Sequence, residues 1–529
     1  MSAKIQLSAL LRLSVRNGRT QTICRRCHYQ NGRLFSTSRR VLQQQEGSDE
    51  KRTLETHAST GTAGDVLPTT VKELLLTQAD IKDKASVKGW VQTIRKQKEV
   101  CFATMTDGST SQTAQVVMTP EQGSLFAIGA AGKITGSWQE PPVKTGQARE
   151  LVAADAELIA ASDPGTWPLQ KKSHTFEYLR TMPHIRLRSS IFRSLLQLRS
   201  TALSQTSAYF NNNSFVQVQP PILTSSDCEG AGEVFAVTSS NLKPFFSDPV
   251  YLTVSAQLHL EAMALAVSKV WCMSPTFRAE KSDTARHLNE FYMLEAEMAF
   301  VENGVNEVMD VVEGVIKNIV RGIVDNQTLK KDLLTRRRGD TSGLLEAAEL
   351  EKRWHDIIDM TWHRITYTRA IEELQRADAE FKFPVKWGVN LQSEHEKYLA
   401  SLVGGGSPVF VTDYPKDLKP FYMLPNENKD KEGRETVACF DLLLPQVGEI
   451  VGGSMREHRL EILEGEMKRR GMSEESMKQL GWYLDLRKWG CPPLGGFGVG
   501  FDRLLAYLAG VENIRETVAF PRWFDRCLC

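Results

Sequence analysis

FRAEKSDTARHLNEFYMLEAEMAF, at residues 277–300, predicts a strand, a polar loop and a second strand. A guanidinium is a flat, two-pronged donor suited to phosphate, and in a strand Arg278 and Glu280 point to the same face. Phe291 closes the loop with a ring on which a purine can stack. A surface hairpin with solvated charges is the alternative that this stretch leaves open. The polar and aromatic residues of the loop are Arg278, Glu280, Arg286, His287, Glu290 and Phe291.

Length and composition narrow the class of protein. A chain of 529 residues is too long for one core and predicts two to four domains. The net charge of +1 excludes a globally basic protein, so any nucleic-acid contact must be a local patch. No apolar run reaches the roughly 18 residues of a membrane span, and we expect no membrane partner. The nine cysteines form no framework pattern, which is typical of a reducing compartment.

The first 45 residues contain no Asp or Glu but eight arginines and one lysine, with leucines at helical spacing. A basic, serine-bearing, acid-free amphipathic segment is the signature of a mitochondrial transit peptide. We therefore predict a location in the mitochondrial matrix, with processing after Phe35 as a hypothesis. Residues 1–48 are assigned to this peptide and the start of a linker. Residues 49–84 are assigned to the linker and its lead-in, because they are polar and rich in Gly, Ser and Thr.

Residues 85–163 predict a small β-barrel. Five short alternating runs separated by turn signals favour an OB-fold. Arg95, Phe102 and Gln115 interleave with lysines, so the barrel can receive single-stranded nucleic acid, with bases on rings and phosphates on cations. A generic β-module with solvated lysines is the other interpretation. Residues 164–188 then form a basic hinge.

Two further stretches flank the opening motif. Residues 189–210 have apolar positions at helical spacing after Ser190, a plausible N-cap, and a strand follows that ends at Pro220 and Pro221. GGFGVGFDRLLAY, at 495–507, has glycines that permit close backbone approach to a ligand ahead of an apolar helix. The spacings of a P-loop and of a dinucleotide-binding fingerprint are both absent.

Three stretches resemble the motifs of the class II aminoacyl-tRNA synthetases. The helix, strand and prolines of 189–221 resemble motif 1, the Phe-Arg-x-Glu and later Phe of 277–291 resemble motif 2, and the Gly-Phe-Asp-Arg of 500–503 resembles motif 3. Within that class the chain is most similar to the asparaginyl-tRNA synthetases over roughly 85–529. The stretches that carry this finer resemblance are 225–235, 252–261, 388–399, 409–417, 448–460 and 520–523.

The resemblance implies an α+β protein with two main domains. An N-terminal OB-fold anticodon-binding barrel would precede a class II catalytic domain at 189–529, with an antiparallel sheet flanked by helices. Within that domain, the charged amphipathic pattern of residues 326–360 itself predicts a helical insertion, either packed on the catalytic sheet or presenting a solvated face. The motif 1 helix would form a homodimer. In the barrel, the resemblance assigns Arg95, Phe102 and Gln115 to the tRNA anticodon.

The resemblance also implies roles in binding ATP. Arg278 would contact the α-phosphate. Arg503 would contact the β- and γ-phosphates and the adenine face opposite Phe291, and these two arginines are the predicted catalytic residues. Asp441 and Glu449 are spaced like carboxylates that hold Mg²⁺, an ion that prefers oxygen ligands, although Asp441 alone is equally compatible with a satisfied structural group. The predicted ATP-binding residues are Arg278, Glu280, Arg286, His287, Phe291, Glu449, Gly500 and Arg503.

A second set is implied for the amino acid. Glu229, Ser255 and Gln257 would hold the α-amino group, while Glu261 accepts from the side-chain NH₂ and Arg456 donates to its carbonyl. Aspartyl enzymes carry a lysine where this chain has Leu260, and its absence suits a neutral carboxamide. Ala256 and Met455 depart from the commoner glycine and glutamine, and because Met455 adjoins Arg456, relaxed discrimination between Asn and Asp stays open.

We therefore predict an ATP- and Mg²⁺-dependent ligase that joins L-asparagine to tRNA-Asn through an asparaginyl-adenylate in mitochondria. Three alternatives remain open at this point. The first is an aspartyl-tRNA synthetase, strict or relaxed, and the second an asparagine synthetase on the same scaffold. The third is a non-catalytic RNA-binding protein built on a former synthetase.

Overall fold

The computed structural model describes residues 70–142, 147–225, 233–239, 245–335 and 343–529. The predicted transit peptide and Glu229 lie outside these residues. None of the helices described within them is long and apolar enough to cross a membrane.

The N-terminal part is a closed five-stranded barrel with strand order β1-β2-β3-β5-β4. Buried and outward side chains alternate along its strands, as expected where one face meets a core. Before the barrel, Thr70 caps a short helix whose Val71 and Leu74 are fully buried in the barrel core. Part of the expected lead-in is therefore packed structure. The elements are α1 Val71–Leu76, β1 Ile81–Lys96, β2 Cys101–Thr106, β3 Ala114–Met118, α2 Pro120–Ser124, β4 Ala131–Gln139 and β5 Glu150–Ala160.

The hinge region folds into two short helices before the long motif 1 helix. The Arg188 guanidinium lies over the rings of Trp90 in the barrel and Trp167 in the hinge, at 5.2 and 4.4 Å. Arg186 is buried and donates to Glu516 at 3.0 Å, near the C-terminus. These contacts attach the barrel and hinge to the larger part of the chain. The helices are α3 Phe176–Arg180, α4 Pro183–Arg186 and α5 Ser190–Asn212.

The C-terminal part is built on an eight-stranded sheet in the order β11-β12-β13-β14-β15-β10-β9-β6. The pairs at the two edges are parallel, and the five pairs between them are antiparallel. A separate two-stranded sheet pairs β7 with β8. The strands are β6 Val216–Gln217, β7 Leu223–Thr224, β8 Tyr251–Leu252, β9 Lys269–Phe277, β10 Glu290–Ala299, β11 His363–Thr366, β12 Val409–Thr412, β13 Cys439–Leu444, β14 Gly448–Arg456 and β15 Leu494–Gly500.

Helices flank this sheet and close its core. The longest of them after the motif 1 helix buries Val308, Val312, Val315 and Ile319, which recur every three or four residues on one face. The helices are α6 Gln257–Val267, α7 Val305–Asp325, α8 Gln327–Leu334, α9 Ala347–Asp359, α10 Tyr367–Arg376, α11 Ser393–Gly404, α12 Leu460–Arg469, α13 Glu474–Gln479, α14 Gly481–Asp485 and α15 Phe501–Ala509. Short 3₁₀ turns occupy Lys416–Leu418 and Ile514–Glu516.

The expected helical insertion corresponds to α8 and α9. Trp354 of α9 is fully buried, and its indole N–H donates to the Leu508 carbonyl of α15 at 2.9 Å. Asp332 of α8 accepts hydrogen bonds from the Thr110 hydroxyl and the Ser111 amide of the barrel at 2.9 and 2.8 Å. These helices therefore connect the C-terminal part to the barrel.

The three motifs of the sequence meet at one carboxylate. Asp502 at the start of α15 forms an ion pair with Arg199 of α5. Its other oxygen accepts from the Tyr292 amide of β10 at 2.7 Å. Burial raises the pKa of Asp502, and Arg199 opposes that rise. This contact sets the motif 1 helix, the motif 2 strand and the motif 3 helix in fixed relation.

Candidate active site

A cavity of about 270 Å³ opens over the centre of the sheet. It brings together residues from both ends of the catalytic part, including the two predicted catalytic arginines. The predicted site residues that line it are Ser255, Gln257, Arg278, Glu280, Arg286, His287, Phe291, Asp441, Glu449, Arg456, Gly500 and Arg503.

The floor of the cavity is a row of four residues on adjacent strands. Asp441 pairs with Gly452, Gly452 with Gly498, and Gly498 with Glu295. A side chain at Gly452 would project toward Asp441 and Glu449, with its Cβ 3.7 and 3.6 Å from their oxygens. The two glycines therefore leave a furrow between carboxylates at either end of the row.

Motif 2 forms one wall. The Arg278 guanidinium lies 5.7 Å from the Phe291 ring centre, and its Nη1 is 4.0 Å from Glu280. The Asn289 side-chain amide bridges the two arms of the loop by donating to the carbonyls of Arg278 and Glu280 at 2.6 and 3.0 Å. His287 Nε2 lies 3.3 Å from Glu280, and burial lowers the pKa of His287. These contacts hold the loop so that the Arg278 guanidinium lies beside the Phe291 ring.

Arg503 reaches the same wall from α15. Its Nη1 donates to the Glu449 carbonyl at 2.8 Å. Burial lowers the pKa of Arg503, and the nearby positive charges of Arg286 and Arg278 lower it further against the opposing effect of Glu449. Arg278 and Arg503 therefore repel each other within one cavity. A bound polyanion would offset this repulsion.

The predicted metal ligands lie at one end of the furrow. Asp441 accepts from Lys419 Nζ at 2.6 and 2.8 Å, so it is already partly satisfied. Burial, together with the charge of Asp441, raises the pKa of Glu449 to about 7. Burial also raises the pKa of Glu396 behind them. Two crowded carboxylates with hard oxygens fit a divalent cation, which would relieve their repulsion.

Within the described residues, no three His, Cys, Asp or Glu side chains are grouped as a metal-binding set. A cation held by Asp441 and Glu449 would therefore take its other ligands from elsewhere. Mg²⁺ commonly binds proteins in this way, through one or two carboxylates with phosphate oxygens and water.

The opposite end of the furrow is the predicted amino-acid site. The Ser255 hydroxyl donates to Glu295 at 2.5 Å, and the Ala256 amide donates to the same carboxylate at 3.0 Å. Arg456 makes a two-pronged pair with Glu297, at 3.0 and 2.9 Å. A Cβ at Gly496 would overlap the Glu297 carboxylate, so that glycine is required for this pair.

Glu261 does not line the cavity, in contrast to its predicted contact with the ligand. It is fully buried on α6 and accepts from Gln257 Nε2 at 3.0 Å, Tyr483 Oη at 2.8 Å and Arg487 Nη2 at 2.5 Å. Gln257, one helical turn earlier on the same helix face, lines the cavity and donates to Glu261, so it links Glu261 to the cavity.

Four cavity or near-cavity groups were missed from the sequence. Glu295 and Glu297 follow Phe291 at even spacing on β10, so strand alternation could have placed them on the same face. Lys419 and Glu396 carry no comparable signal, because only the folded chain brings a loop and α11 to β13 and β14.

On the barrel, the three predicted anticodon residues lie on adjacent outward positions. Arg95 pairs with Phe102 across β1 and β2, and its guanidinium is 5.3 Å from the Phe102 ring centre. Gln115 lies on β3 next in the sheet, and its amide donates to Glu150 at 3.0 Å. The structure thus places them on one face, with Gln115 already engaged.

Comparison with known proteins agrees with this architecture. A family profile described as "tRNA synthetases class II (D, K and N)" matches residues 176–524, and one described as "OB-fold nucleic acid binding domain" matches 85–159. The chain belongs to the class II tRNA synthetases.

Individual relatives narrow the group. Mitochondrial asparagine–tRNA ligases of Saccharomyces cerevisiae and Schizosaccharomyces pombe are 43% and 42% identical, each over 83% of this chain and 92% and 93% of their own length. The structure of asparaginyl-tRNA synthetase from Pyrococcus horikoshii complexed with asparaginyl-adenylate superimposes with a TM-score of 0.72 at 28% identity, covering 84% of this chain and 96% of that one. Within the class, the chain is a member of the asparagine–tRNA ligases, and the predicted fold and function are confirmed.

Proposed function

We propose that this chain activates L-asparagine with ATP in the described cavity and transfers it to tRNA-Asn in mitochondria. The observation that carries the proposal is the convergence of Arg278 and Arg503 on one cavity that also contains Phe291 and a carboxylate pair. Such a set matches a bent nucleotide, with its base on a ring and its phosphates between guanidinium groups.

The chemistry follows from positioning. A carboxylate oxygen of asparagine attacks the α-phosphorus, and the bond to the bridging oxygen breaks to release pyrophosphate. Arg278 stabilises charge on the α-phosphate oxygens, and Arg503 stabilises the leaving pyrophosphate. Glu280, Arg286 and His287 orient the base and the outer phosphates. A terminal ribose hydroxyl of the tRNA then attacks the activated carbonyl and releases AMP.

Asp441 and Glu449 would hold Mg²⁺ at the phosphate end of the furrow. The ion would supply charge neutralisation on phosphate oxygens when bound. The proximity of Lys419 to Asp441 means that this carboxylate would be shared between ammonium and metal.

The asparagine end combines predicted and newly identified residues. Ser255, Gln257 and Glu229 would bind the α-amino group, and Glu295 would supply a further carboxylate beside Ser255. Arg456 would donate to the side-chain carbonyl. Glu261, from its buried position, would act on the carboxamide through Gln257 and Arg456.

The barrel would bind the anticodon through Arg95, Phe102 and Gln115, since stacking on a ring beside cations suits an unstacked RNA loop. A homodimer through α5 and import of the chain by residues 1–48 complete the proposal. The relatives named as mitochondrial and the basic, acid-free N-terminus support that location.

Amino-acid-dependent ATP–pyrophosphate exchange tests the proposal, on the full chain and on a chain lacking its first 35 residues. We expect exchange with asparagine and far less with aspartate. Equal exchange with both would favour a relaxed aspartyl enzyme, and exchange with neither would favour a non-catalytic RNA-binding protein. Charging of tRNA-Asn measured in the same preparation tests the second step.

A further inference from the structure

Behind the amino-acid end of the cavity lies a buried arginine that lines no part of it. Arg487 follows α14 and has a side chain with 0% exposure. Its Nη2 donates to Glu261 at 2.5 Å and to Tyr483 Oη at 2.8 Å, while its Nε donates to the Glu457 carbonyl at 3.1 Å. Burying a guanidinium is unfavourable unless it is paired, so the partners of Arg487 are needed to keep it in this position.

Arg487 is the first of four charges in a line toward the cavity. Glu261 lies between Arg487 and Arg456, with 3.9 Å from its Oε1 to Arg456 Nε. Arg456 then pairs with Glu297 at 2.9 Å. All four side chains are 4% exposed or less. Two cations alternate with two carboxylates, so the buried charge quartet of Arg487, Glu261, Arg456 and Glu297 has no net charge when both carboxylates are ionised.

The cation at the far end decides how Arg456 is shared. With Arg487 in place, Glu261 is satisfied from behind, and Arg456 directs both prongs to Glu297 and its remaining nitrogen, Nη1, to Ser454 at 2.6 Å. Without Arg487, Arg456 becomes the nearest cation to Glu261, because attraction in a buried environment is weakly screened. Arg456 would then turn away from the cavity.

The position of Arg487 is set by a separate hydrophobic unit. Tyr483 and Leu484 of α14 pack with Leu463 and Met467 of α12 and with Leu258 of α6. Tyr483 is fully buried, and the Arg487 guanidinium lies 4.1 Å from its ring centre. The helices after β14 thus carry the arginine to the back of the amino-acid site.

We propose that Arg487 is a positioning residue that balances the buried charge quartet, so that the cavity accepts an uncharged carboxamide and rejects a carboxylate. The proposal rests on the function proposed above. A neutral side chain leaves the quartet balanced, whereas a carboxylate adds an unpaired negative charge in a site with little water. Selectivity then depends on the sum of the four charges as well as on the contact to Arg456.

Three variants of the full chain separate this from a purely structural role. Arg487→Met makes the quartet negative, and we expect the KM for asparagine to rise by about ten-fold or more while the KM for ATP stays within about two-fold. Glu261→Gln makes the quartet positive, and we expect the ratio of kcat/KM for aspartate over asparagine to rise by about ten-fold. The double variant restores neutrality, and we expect it to recover most of the loss in KM for asparagine.

Lys488→Met is the matched control, because Lys488 is the next residue, half exposed, and pairs with Asp485 at the surface. Thermal unfolding of each variant accompanies the kinetics. Should Arg487→Met fail to fold, the double variant and Arg487→Lys, which keeps the charge, still carry the test. An unchanged KM for asparagine in Arg487→Met, or a double variant no better than the worse single one, would overturn the inference. Absence of asparagine-dependent exchange in the unaltered chain would instead refute the proposed function.

Discussion

The two ends of the catalytic cavity handle charge in opposite ways. At the nucleotide end, Arg278, Arg286 and Arg503 lie close enough that the first two lower the pKa of the third. At the amino-acid end, Arg456 and Glu297 form a two-pronged pair, with Glu261 and Arg487 continuing the alternation behind them. One end crowds like charges together, its three arginines and its carboxylate pair, whereas the other alternates opposite charges.

This difference corresponds to the two ligands. A triphosphate brings several negative charges, so a site that binds it benefits from crowded cations that are costly in its absence. An asparagine side chain brings no charge, so its site must be neutral before it arrives. The furrow glycines Gly452 and Gly498 lie between the two ends and add no charge to either.

The largest effect is expected at the nucleotide end. Replacement Arg278→Ala removes the donor that we propose for the reacting phosphate, and we expect asparagine-dependent exchange to fall by about 10³-fold. Thermal unfolding should change little, because the Arg278 side chain is 31% exposed and the loop is also held by the Asn289 side chain, which donates to the backbone carbonyls of Arg278 and Glu280. Arg376→Ala, on the exposed face of α10, is the control. Retained exchange in Arg278→Ala would contradict the assignment.

A smaller effect of the same kind is expected at Phe291. Loss of the ring in Phe291→Ala removes a stacking surface for the base, and we expect the KM for ATP to rise by about ten-fold. The KM for asparagine should change little, because the two ends are separated by the furrow. Phe383→Ala, an exposed ring elsewhere, provides the comparison. Equal rises in both KM values would show that the ends are not independent.

The balance at the amino-acid end predicts a dependence on pH. Burial raises the pKa of Glu297 to about 7, an effect that Arg456 only partly offsets; Glu261 and Arg487 are the other charges that face it. As pH falls from about 8 to about 6, Glu297 gains a proton and the quartet becomes positive. We therefore expect the preference for asparagine over aspartate to decrease several-fold, since the aspartate side chain stays ionised throughout.

The same pKa shift has a consequence for stability. The folded pKa of Glu297 lies above its ordinary value of 4.5, so the folded state binds the proton more tightly. The contribution of Glu297 to the free energy of unfolding is present below pH 4.5 and is lost as pH rises toward 7.

The Glu297→Gln variant tests the predicted pH dependence of the preference for asparagine over aspartate. We expect this dependence to be flattened in the variant. A preference that does not change with pH in the unaltered chain would contradict the role of Glu297.

The smallest effect is expected outside the cavity, where neither end should respond. Asp332→Asn weakens the buried contact between α8 and Thr110 of the barrel. We expect the KM for tRNA to rise by about three-fold, because a looser barrel holds the anticodon less favourably relative to the cavity. Exchange without tRNA should be unaffected. Asp359→Asn, at an exposed position on α9, is the control, and a change in exchange would show coupling from barrel to cavity.

The residues of motif 2 were predictable because their chemistry is local. Arg278, Glu280 and Phe291 lie within one hairpin, and strand alternation alone places a cation and a carboxylate on one face. The glycines of β15 were predictable as a site of close approach, although at Gly496 the group that approaches is the Glu297 carboxylate of the protein itself. The barrel was equally predictable from the sequence, because its five alternating runs follow one another between turn signals.

The partners of the buried charges could not be predicted from the sequence. Sequence alone indicated the class of protein, the order of its domains and the two arginines that meet in the cavity, because each is recognised from a short stretch of neighbouring residues. Only the tertiary structure decided that Glu261 pairs with Arg487 behind the cavity, that Lys419 forms an ion pair with Asp441 and that Asp502 connects the three motifs. Those pairings link residues from 22 to more than 200 positions apart, and the pairing of a buried charge is set by which strands and helices pack together.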